Sequence, residues 1–556
     1  MKATILSLAA ILGVSACASS NVRRFPAESP AWRIDDRRPY ETPPEGFYSP
    51  FIWDGANYSF FWRVSDALRF PVKHPAANVN SLDEVPNSSW YTNRLSLEPM
   101  SPEEVSRGAC SDLDDDAGKP WTVVGGKPDG ANPGFQIVNT EGVRALVKVD
   151  GTSQPERGST ADVIGAIIFH AAGYWVPCNR VTFVRKDQLT LKPGAKVVRT
   201  NGQESPLTQE SIDEIMNKAI EVEPGLYRVS VSEFIEGKPI GPWRYEGRRK
   251  DDPNDSILHE NRRELRAMQV FAGWFDHVDT RQENTLLAWM ETGEELGFTR
   301  HYKIDFGDGF GIVAGPKGIP ERLGKSGYLD LGKIGEDFIS FGLIDRPWHD
   351  KELGKAGIAL GYYSAEDYDP DPFVPGYPNP AFERATEQDL AWAARIMARF
   401  TPEHIEAMVE RGRLRTVPYM EEEILRIMKA RRIKVLERFL TKLSPLTWPE
   451  IRDDRLCLQD LALLSGIREP ATRRYEVRGV AGKGSARRLE AALEANSWVC
   501  ADISGFPSNQ YTVVDFIASS EGRETTKPGR VHLAPVNGVR TIVGMERPSS
   551  REEPRL

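Results

Sequence analysis

The sequence has no excess of positive charge, little cysteine, and no long apolar run after its first residues. Its formal net charge is -9, which argues against a general nucleic-acid binder, because such proteins usually carry a basic footprint. Short basic clusters such as residues 248–250 are typical of a solvated surface. No segment after residue 16 is long and apolar enough to cross a membrane as a helix. Nucleic acid is therefore not an expected partner, and no membrane-spanning helix is expected after the first 16 residues.

The first 16 residues have the pattern of a targeting segment. Lys2 precedes an apolar stretch over residues 3–14, which is too short to span a bilayer. Two small residues and Cys17 follow, a sequence that resembles a bacterial lipoprotein signal. The resemblance implies cleavage before Cys17, acylation of that cysteine, and a lipid-anchored protein of the bacterial cell envelope, with Ala18 matching the pattern of the outer membrane. A plain secretory signal cut near Ala18 is the alternative.

The four cysteines that remain after such processing are Cys110, Cys178, Cys457 and Cys500. No metal-site spacing connects them. An exported chain meets conditions in which disulfides persist, so a bridge between Cys457 and Cys500 is one prediction. Buried free thiols are the other, and the sequence does not decide whether Cys110 and Cys178 meet.

The length of 556 residues predicts two or three domains, and the order of patterns predicts an α+β chain. Alternating and β-branched residues predict strands between residues 121 and 149. Helical spacing predicts helices at 160–172, 209–219, 262–275, 387–399, 402–411 and 419–443. A β-rich lobe thus precedes an α-rich one, and a smaller β-rich part with a helix near residues 486–495 follows. The expected divisions are a signal peptide 1–16, an irregular segment 17–118, a first lobe 119–240, a second lobe 241–450, and a C-terminal domain with its tail 451–556.

Two short motifs in the second lobe carry the chemistry. His277-Val278-Asp279 is followed by Asn284, and Ile304-Asp305-Phe306-Gly307 ends a short apolar run. In the protein-kinase template, which these motifs resemble, an Asp faces the acceptor hydroxyl, an Asn five positions later holds a metal ion, and the Asp of Asp-Phe-Gly holds metal against the phosphates. Asp279, Asn284 and Asp305 occupy these three positions. The two motifs together predict a phosphotransferase site.

Lys148 is the candidate cation for the phosphates of a nucleotide. It lies in an apolar strand, where a lysine is costly to bury unless a carboxylate or phosphate pairs with it. Asp162 on the next helix is the predicted partner; a lysine exposed on an edge strand is the alternative. The Gly-rich stretch between the first two strands would let Lys127 and the backbone of Gly130 approach phosphates, although it lacks the spacing of a Walker A or kinase loop.

A predicted hairpin brings the two motifs together. Residues 285–289 and 301–304 form two strands joined by a turn, so Asn284 and Asp305 should lie side by side and hold Mg²⁺. His277 is expected to be a structural histidine, and Asp308 an exposed turn residue rather than a further metal neighbour.

These residues and the sequence stretch 171–177 resemble the corresponding motifs of the kinase-like superfamily, in particular of its atypical bacterial HipA-like and CotH-like branches. The resemblance covers roughly residues 121–443 and implies a bilobal kinase-like fold that binds ATP or another nucleotide with Mg²⁺. It also implies that residues 232–235, among them Glu233, form an adenine-facing hinge. The chain departs from the superfamily in having Asp162 for Glu and no Ala-Pro-Glu element.

The predicted function is an envelope-anchored kinase-like phosphotransferase that acts on an unidentified protein, lipid or glycan. The difficulty for this function is that the bacterial envelope outside the inner membrane is not expected to hold much ATP. The alternatives are a kinase-like pseudoenzyme that serves as a binding scaffold, and a nucleotidyl transferase with the same metal ligands.

Overall fold

The computed structural model of the chain describes residues 23–46, 51–68, 73–111, 118–127, 133–199, 202–293, 295–371, 373–523 and 525–548. The predicted signal peptide, Cys17 and Gly130 lie outside these ranges, so the expectations attached to them stay predictions. Within the described ranges, no helix has the length and apolar character that crossing a membrane requires.

The N-terminal segment has few regular elements and lies over the rest of the chain. Phe25 donates its N–H to the Tyr511 hydroxyl near the C-terminus, and Tyr40 bonds to Gly297 at the tip of a hairpin. Trp90 stacks on His301 with ring centroids 3.4 Å apart. The helices of this segment are α1 (Phe51–Ala56) and α2 (Trp62–Leu68), joined by a π-helical turn, and α3 (Pro102–Arg107).

The first lobe is built on an eight-stranded sheet with two helices. The strand order is β4-β8-β3-β2-β1-β5-β6, and β7 pairs with β8. The elements are β1 (Trp121–Gly126), β2 (Gly134–Val138), β3 (Arg144–Lys148), α4 (Arg157–Ala172), β4 (Asn179–Val184), β5 (Leu189–Val198), β6 (Glu204–Pro206), α5 (Gln209–Met216), β7 (Ile220–Glu223) and β8 (Leu226–Glu233). The β-rich first lobe predicted from residue alternation is confirmed.

The two faces of this sheet have different roles because side chains alternate along a strand. Val147 and Val231 point into a core closed by Ile212 and Met216 of α5. Lys148, which lies opposite Ser230 in the β3/β8 register, belongs to the other face, where α4 packs. The site therefore forms on the face that α5 does not cover.

The buried helix α4 begins earlier than the sequence predicts. Its N-cap is Glu156, which has a left-handed backbone (φ 62°) and makes no side-chain cap bond. Ser159, which lies just before the predicted start of the helix, donates its hydroxyl and its N–H to Asp150. The predicted end at Gly173 is confirmed: its φ of 115° is available to glycine at little cost.

The second lobe is largely helical, as predicted. A three-stranded sheet of order β11-β10-β9 lies among the helices. The helix α7 was not predicted from the sequence. The elements are β9 (Lys238–Gly241), α6 (Arg263–Phe275), β10 (Thr285–Gly293), β11 (Leu296–Lys303), α7 (Leu331–Ile339), α8 (Pro380–Glu383), α9 (Glu387–Met397), α10 (Pro402–Glu410) and α11 (Met420–Val435), which continues as a π-helical turn.

The C-terminal part contains two antiparallel sheets of order β12-β13-β17-β16 and β15-β14-β18-β19-β20. The elements are β12 (Leu446–Arg452), β13 (Arg455–Asp460), α12 (Leu461–Leu464), β14 (Arg473–Ala481), β15 (Arg487–Leu489), β16 (Ala491–Leu493), β17 (Trp498–Asp502), β18 (Thr512–Ser520), β19 (Gly529–Val536) and β20 (Val539–Glu546).

The helix predicted near residues 486–495 is wrong. The alanines, leucines and glutamates of this stretch favour a helix locally. Instead, β15 pairs with β14 and β16 pairs with β17. Hydrogen bonds to these two neighbouring strands override the local preference.

The structure forms two disulfides, so the free-thiol alternative is wrong. Cys457 and Cys500 lie opposite each other on β13 and β17 and are bonded. Cys110, which follows α3, is bonded to Cys178 before β4, across a separation of 68 residues. The second bridge ties the N-terminal segment to the first lobe.

Removal of the Cys457–Cys500 bridge by a double Cys→Ser change should lower the free energy of unfolding by about 2–4 kcal/mol, because the bridge closes a long loop in the unfolded chain. Denaturant unfolding of both proteins under oxidising conditions measures this difference in the free energy of unfolding. Both proteins carry the Cys110–Cys178 bridge before reduction, so a reductant removes two bridges from the wild type and one from the variant and should destabilise the wild type more. Equal responses to the reductant would contradict a formed Cys457–Cys500 bond.

Candidate functional site

Lys148, at the end of β3, is held by two carboxylates from different parts of the fold. Its Nζ lies 3.3 Å from Asp162 Oδ2 on α4 and 3.3 Å from Asp305 Oδ1. Burial by itself would lower the pKa of Lys148, but the two carboxylates outweigh burial and raise it. The ammonium therefore stays charged, and the edge-strand alternative is wrong because only 12% of the lysine side chain is exposed.

Asp162 serves both the lysine and the Asp-Phe-Gly segment. Its Oδ1 accepts the N–H of Phe306 at 3.1 Å, while its Oδ2 faces Lys148. Burial raises the pKa of Asp162, and the nearby lysine opposes that shift. One buried carboxylate thus joins β3, α4 and the loop that carries Asp305.

The close approach that a short Asp side chain requires is provided by Gly165, one turn further along α4. A Cβ at this position would lie 2.5 Å from the Cβ of Phe306, so only glycine leaves room for that phenylalanine. Phe306 is buried and stacks on Phe169 with ring centroids 5.2 Å apart. The packing of Phe306 against Gly165 therefore fixes the position of the Asp-Phe-Gly loop relative to α4.

Asp305 is an ionised carboxylate open to solvent on one side. Lys148 lowers its pKa to about 2, with a further contribution from Lys127, and 49% of its side chain is exposed. Its backbone is left-handed, with φ 56°. Such backbones are costly for residues other than glycine and cluster at functional sites. The geometry turns the carboxylate toward Lys148.

Asp279 and Asn284 form the other half of the site. Asn284 Nδ2 donates to the backbone oxygen of Asp279 at 2.6 Å and to its Oδ2 at 3.0 Å. Arg281 Nε lies 2.9 Å from Asp279 Oδ1. Burial raises the pKa of Asp279, a shift that Arg281 opposes. Asp279 is therefore a partly buried carboxylate that neighbouring donors orient.

The hairpin that was predicted to join the two motifs is present. Thr285 on β10 pairs with Lys303 on β11, and the N–H of Ile304 donates to the Asn284 oxygen at 3.0 Å. Asn284 and Asp305 therefore emerge beside each other at one end of the hairpin. The side-chain oxygen Oδ1 of Asn284 lies on the side of the amide opposite the bonds to Asp279.

Asp308 is not the exposed turn residue that the sequence suggested. One of its oxygens lies 2.5 Å from His277 Nδ1, and the other accepts the N–H of Asp279 at 2.8 Å. His277 is completely buried, in keeping with the structural role expected for it. Asp308 thus connects the Asp-Phe-Gly segment to the loop that holds Asp279.

Two further cations that sequence reasoning missed support the backbone of the site. Lys303 is buried and donates to the Asn284 oxygen at 3.0 Å; burial lowers the pKa of Lys303 to about 8. Arg157 donates to the backbone oxygens of Gly307 and Gly309. Both side chains donate to main-chain carbonyls. Because every residue carries such a carbonyl, the sequence gives no signal for these contacts.

The remaining predicted residues differ in their placement. Lys127 follows β1 and bonds through its N–H to Gly134, and its charge acts on Asp305. Glu233 is not brought to the site. It lies opposite Ala145, three positions along β8 from Ser230 and therefore on the sheet face opposite to that of Lys148, and it pairs with Arg180. Its N–H is already taken by the oxygen of Cys178. Residue 130 lies outside the described ranges.

The donor set fits a nucleotide bound together with a divalent metal ion. Among the described residues, no group of three or more His, Cys, Asp or Glu side chains could hold a metal ion. Asp305 and Asn284 together offer a carboxylate and an amide oxygen, and Lys148 and Lys127 offer positive charge for phosphates. Mg²⁺ is commonly bound by one or two protein ligands together with substrate phosphates and water.

The comparisons with known proteins yield only distant structural likeness. No protein-family model matches the chain, and no curated protein matches its sequence. A crystal structure of the Golgi casein kinase is 11% identical with a TM-score of 0.28, covering 61% of this chain and 79% of that one. A second, described as the Golgi casein kinase with Mn/ADP bound, is 12% identical with a TM-score of 0.27, covering 63% and 85%.

At TM-scores this low, the likeness assigns no role to individual residues of the chain. The resemblance to HipA-like and CotH-like branches stays a prediction. The roles of the site residues are inferred from their sequence motifs and from the geometry of the site.

Proposed function

We propose that the chain is a kinase-like phosphotransferase that uses ATP, or another nucleotide, with Mg²⁺. The observation that carries the proposal is the meeting of Lys148, Asp162 and Asp305 in one ion-pair cluster, with Asp279 and Asn284 at the end of the adjoining hairpin. Phosphoryl transfer needs positioned cations and metal ligands more than covalent chemistry, and this site supplies both kinds of group.

Each residue has a separate role in this proposal. Lys148, kept charged by its two carboxylates, holds the phosphates, and Lys127 adds charge from the first hairpin. Asp305 and Asn284 hold Mg²⁺, which when bound neutralises charge on the phosphates. Asp279 orients the acceptor hydroxyl and accepts its proton, a role that suits its raised pKa. Asp308, Lys303 and Arg157 hold the backbone of these loops in place.

Thermal unfolding tests the binding half of the proposal. Mg²⁺-ATP at a hundred times its dissociation constant should stabilise the wild-type protein by about 2.7 kcal/mol. Asp305→Ala should remove most of this ligand-induced stabilisation, because the variant loses a metal ligand. The ligand-induced shift is compared within each variant, so that any change in the stability of the free protein cancels.

The control is Glu214→Ala, which removes an exposed carboxylate on α5, on the outer face of the first lobe. It should respond to Mg²⁺-ATP as the wild type does. A shift of equal size in Asp305→Ala would remove Asp305 from the metal site. No shift with any nucleotide would favour the scaffold alternative, and mass analysis of a modified product distinguishes phosphoryl from nucleotidyl transfer.

A further inference from the structure

A second cleft lies far along the chain from the phosphotransferase residues, between the second lobe and the C-terminal sheets. Its volume is ≈ 590 Å³, within the range of small-molecule sites. Its wall is mainly apolar and combines residues from the N-terminal segment, the loop after α9, the helices α10 and α12, and the strands β12, β13 and β17, with the exposed Glu403 among them. The residues used below are Met100, Arg399, Trp448, Gln459, Leu464 and Trp498.

Arg399 is a buried cation on this wall, without a counter-ion within ion-pair distance among the residues that the structure describes. Only 8% of the residue is exposed, and it makes no ion pair with any residue in the described ranges. Its one side-chain hydrogen bond in those ranges is a 3.3 Å bond from Nη2 to Gln459 Oε1. Glu84 attracts it only from a longer range. Burying a charge is expensive unless it is paired, so this guanidinium has capacity for an anion.

The burial of Arg399 also changes its pKa. Burial lowers its pKa to about 9, since only the distant Glu84 opposes the effect. Its guanidinium carbon lies 3.1 Å from the ring centroid of Trp448, so the cation is held flat against an indole at the cleft wall. This stacking fixes the guanidinium but supplies no formal negative charge.

The backbone at the cleft is strained in two separate places. Trp448 has φ 51° at a bulge in β12, between Thr447 and Glu450. Asn496 and Ser497, just before Trp498, have φ 55° and 63°. A left-handed backbone is an outlier for a residue as bulky as tryptophan, and such strain is retained where function requires the geometry. Both indoles line the cleft beside these strained positions.

We propose that this cleft binds a small amphipathic carboxylate, with its anionic group on Arg399 and its apolar body along Trp448, Trp498, Met100 and Leu464. The unpaired guanidinium selects for negative charge, and the aromatic and aliphatic wall selects for an apolar body. The proposal does not depend on the phosphotransferase activity, because it uses none of those residues.

A small carboxylate fits the cleft better than an extended peptide does. A peptide that adds to the edge of β12 would need a continuous row of backbone groups. The bulge at Trp448 shifts the register of that strand between Thr447 and Glu450, which breaks the row at the cleft itself. The ion pair with Arg399 then supplies the specific contact and the indoles supply apolar area.

Binding of octanoate and of octylammonium to the full chain tests the proposal, because the two probes share the apolar body and differ in the sign of the charge. Calorimetry and tryptophan fluorescence should show binding of octanoate and at least about tenfold weaker binding of octylammonium. Equal affinity for both probes, or no octanoate binding up to millimolar concentration, would overturn the proposal.

Three variants locate the bound anion. Arg399→Met keeps the stem of the side chain and should weaken octanoate binding about tenfold or more. Arg452→Met is the matched control, because Arg452 stacks on Trp498 at 4.0 Å as Arg399 stacks on Trp448, yet does not line the cleft. Gln459→Glu places a carboxylate beside Arg399, at the loss of the Gln459 Nε2 bond to the Asn496 oxygen, and should block octanoate. Equal effects of the Arg399 and Arg452 changes, or undiminished binding in Gln459→Glu, would contradict the assignment.

Discussion

Asp279→Asn is expected to slow nucleotide turnover by about 10²–10⁴-fold while leaving nucleotide binding nearly intact, because it removes a proton acceptor without removing a phosphate or metal contact. Asparagine keeps the size of the side chain and an oxygen for Asn284 Nδ2. Release of ADP from Mg²⁺-ATP measures turnover, and the ligand-induced thermal shift measures binding.

The combination of retained binding and lost turnover separates this residue from Asp305. At Asp305, binding and turnover should fall together. Glu214→Gln, a carboxylate-to-amide change on the exposed side of α5, is the control and should leave both quantities unchanged. Turnover in Asp279→Asn within a few-fold of wild type would exclude Asp279 as the proton acceptor. Loss of binding as well would instead assign Asp279 to the metal or phosphate contacts.

Arg228→Met is expected to lower the free energy of unfolding by about 3–5 kcal/mol, because it leaves two buried carboxylates without their cation. Arg228 on β8 is completely buried. Its Nη1 lies 2.9 Å from Asp150 Oδ2, and its Nε lies 3.7 Å from Glu156 Oε1. Both acids are themselves buried, and Arg228 Nη2 also donates to Thr160 at 3.0 Å.

The same change should reach the candidate active site, because this network fixes the start of α4. Glu156 accepts backbone N–H groups from Arg415, Thr416 and Val417 of the second lobe, and Arg228 donates to the oxygen of Gly412. The helix that carries Asp162 is thus tied to both lobes. We expect Arg228→Met to weaken nucleotide binding as well as stability.

Denaturant unfolding measures the stability effect. Lys196→Met, which breaks an exposed ion pair with Glu204 in the same lobe, is the matched control and should leave the unfolding midpoint almost unchanged. A midpoint for Arg228→Met as little changed as that of the control would show that the buried network contributes nothing to stability.

Much of the site could be predicted because its chemistry is local in the sequence. The spacing of Asp279 and Asn284, and the tripeptide that starts at Asp305, are contiguous patterns. A lysine in an apolar strand requires a carboxylate or phosphate partner if it is buried. Asp162 lies on the next helix of the chain and was therefore the nearest candidate. The hairpin that joins the two motifs followed from apolar alternation and a glycine-containing turn.

The residues that were missed act over long separations or through the backbone. Asp308 contacts His277 and the N–H of Asp279, some thirty positions earlier in the chain, and no local pattern distinguishes it from a turn residue. Lys303 and Arg157 bond to main-chain oxygens, which every residue carries. Glu233 was placed at the site from its position along the chain alone, and the alternation of β8 puts it out of phase with Lys148.

The sequence by itself determined the order of β-rich and α-rich lobes, most of the regular elements, and the identity of the ion-pairing and metal-ligand candidates, because these depend on residue periodicity and on short spacings. Only the tertiary structure decided the strand pairing of residues 487–493, the bond between Cys110 and Cys178, the buried Arg228 network, and the unpaired Arg399 in its cleft. These features come from contacts between segments far apart in the chain, and their energies depend on burial, which a linear sequence does not show.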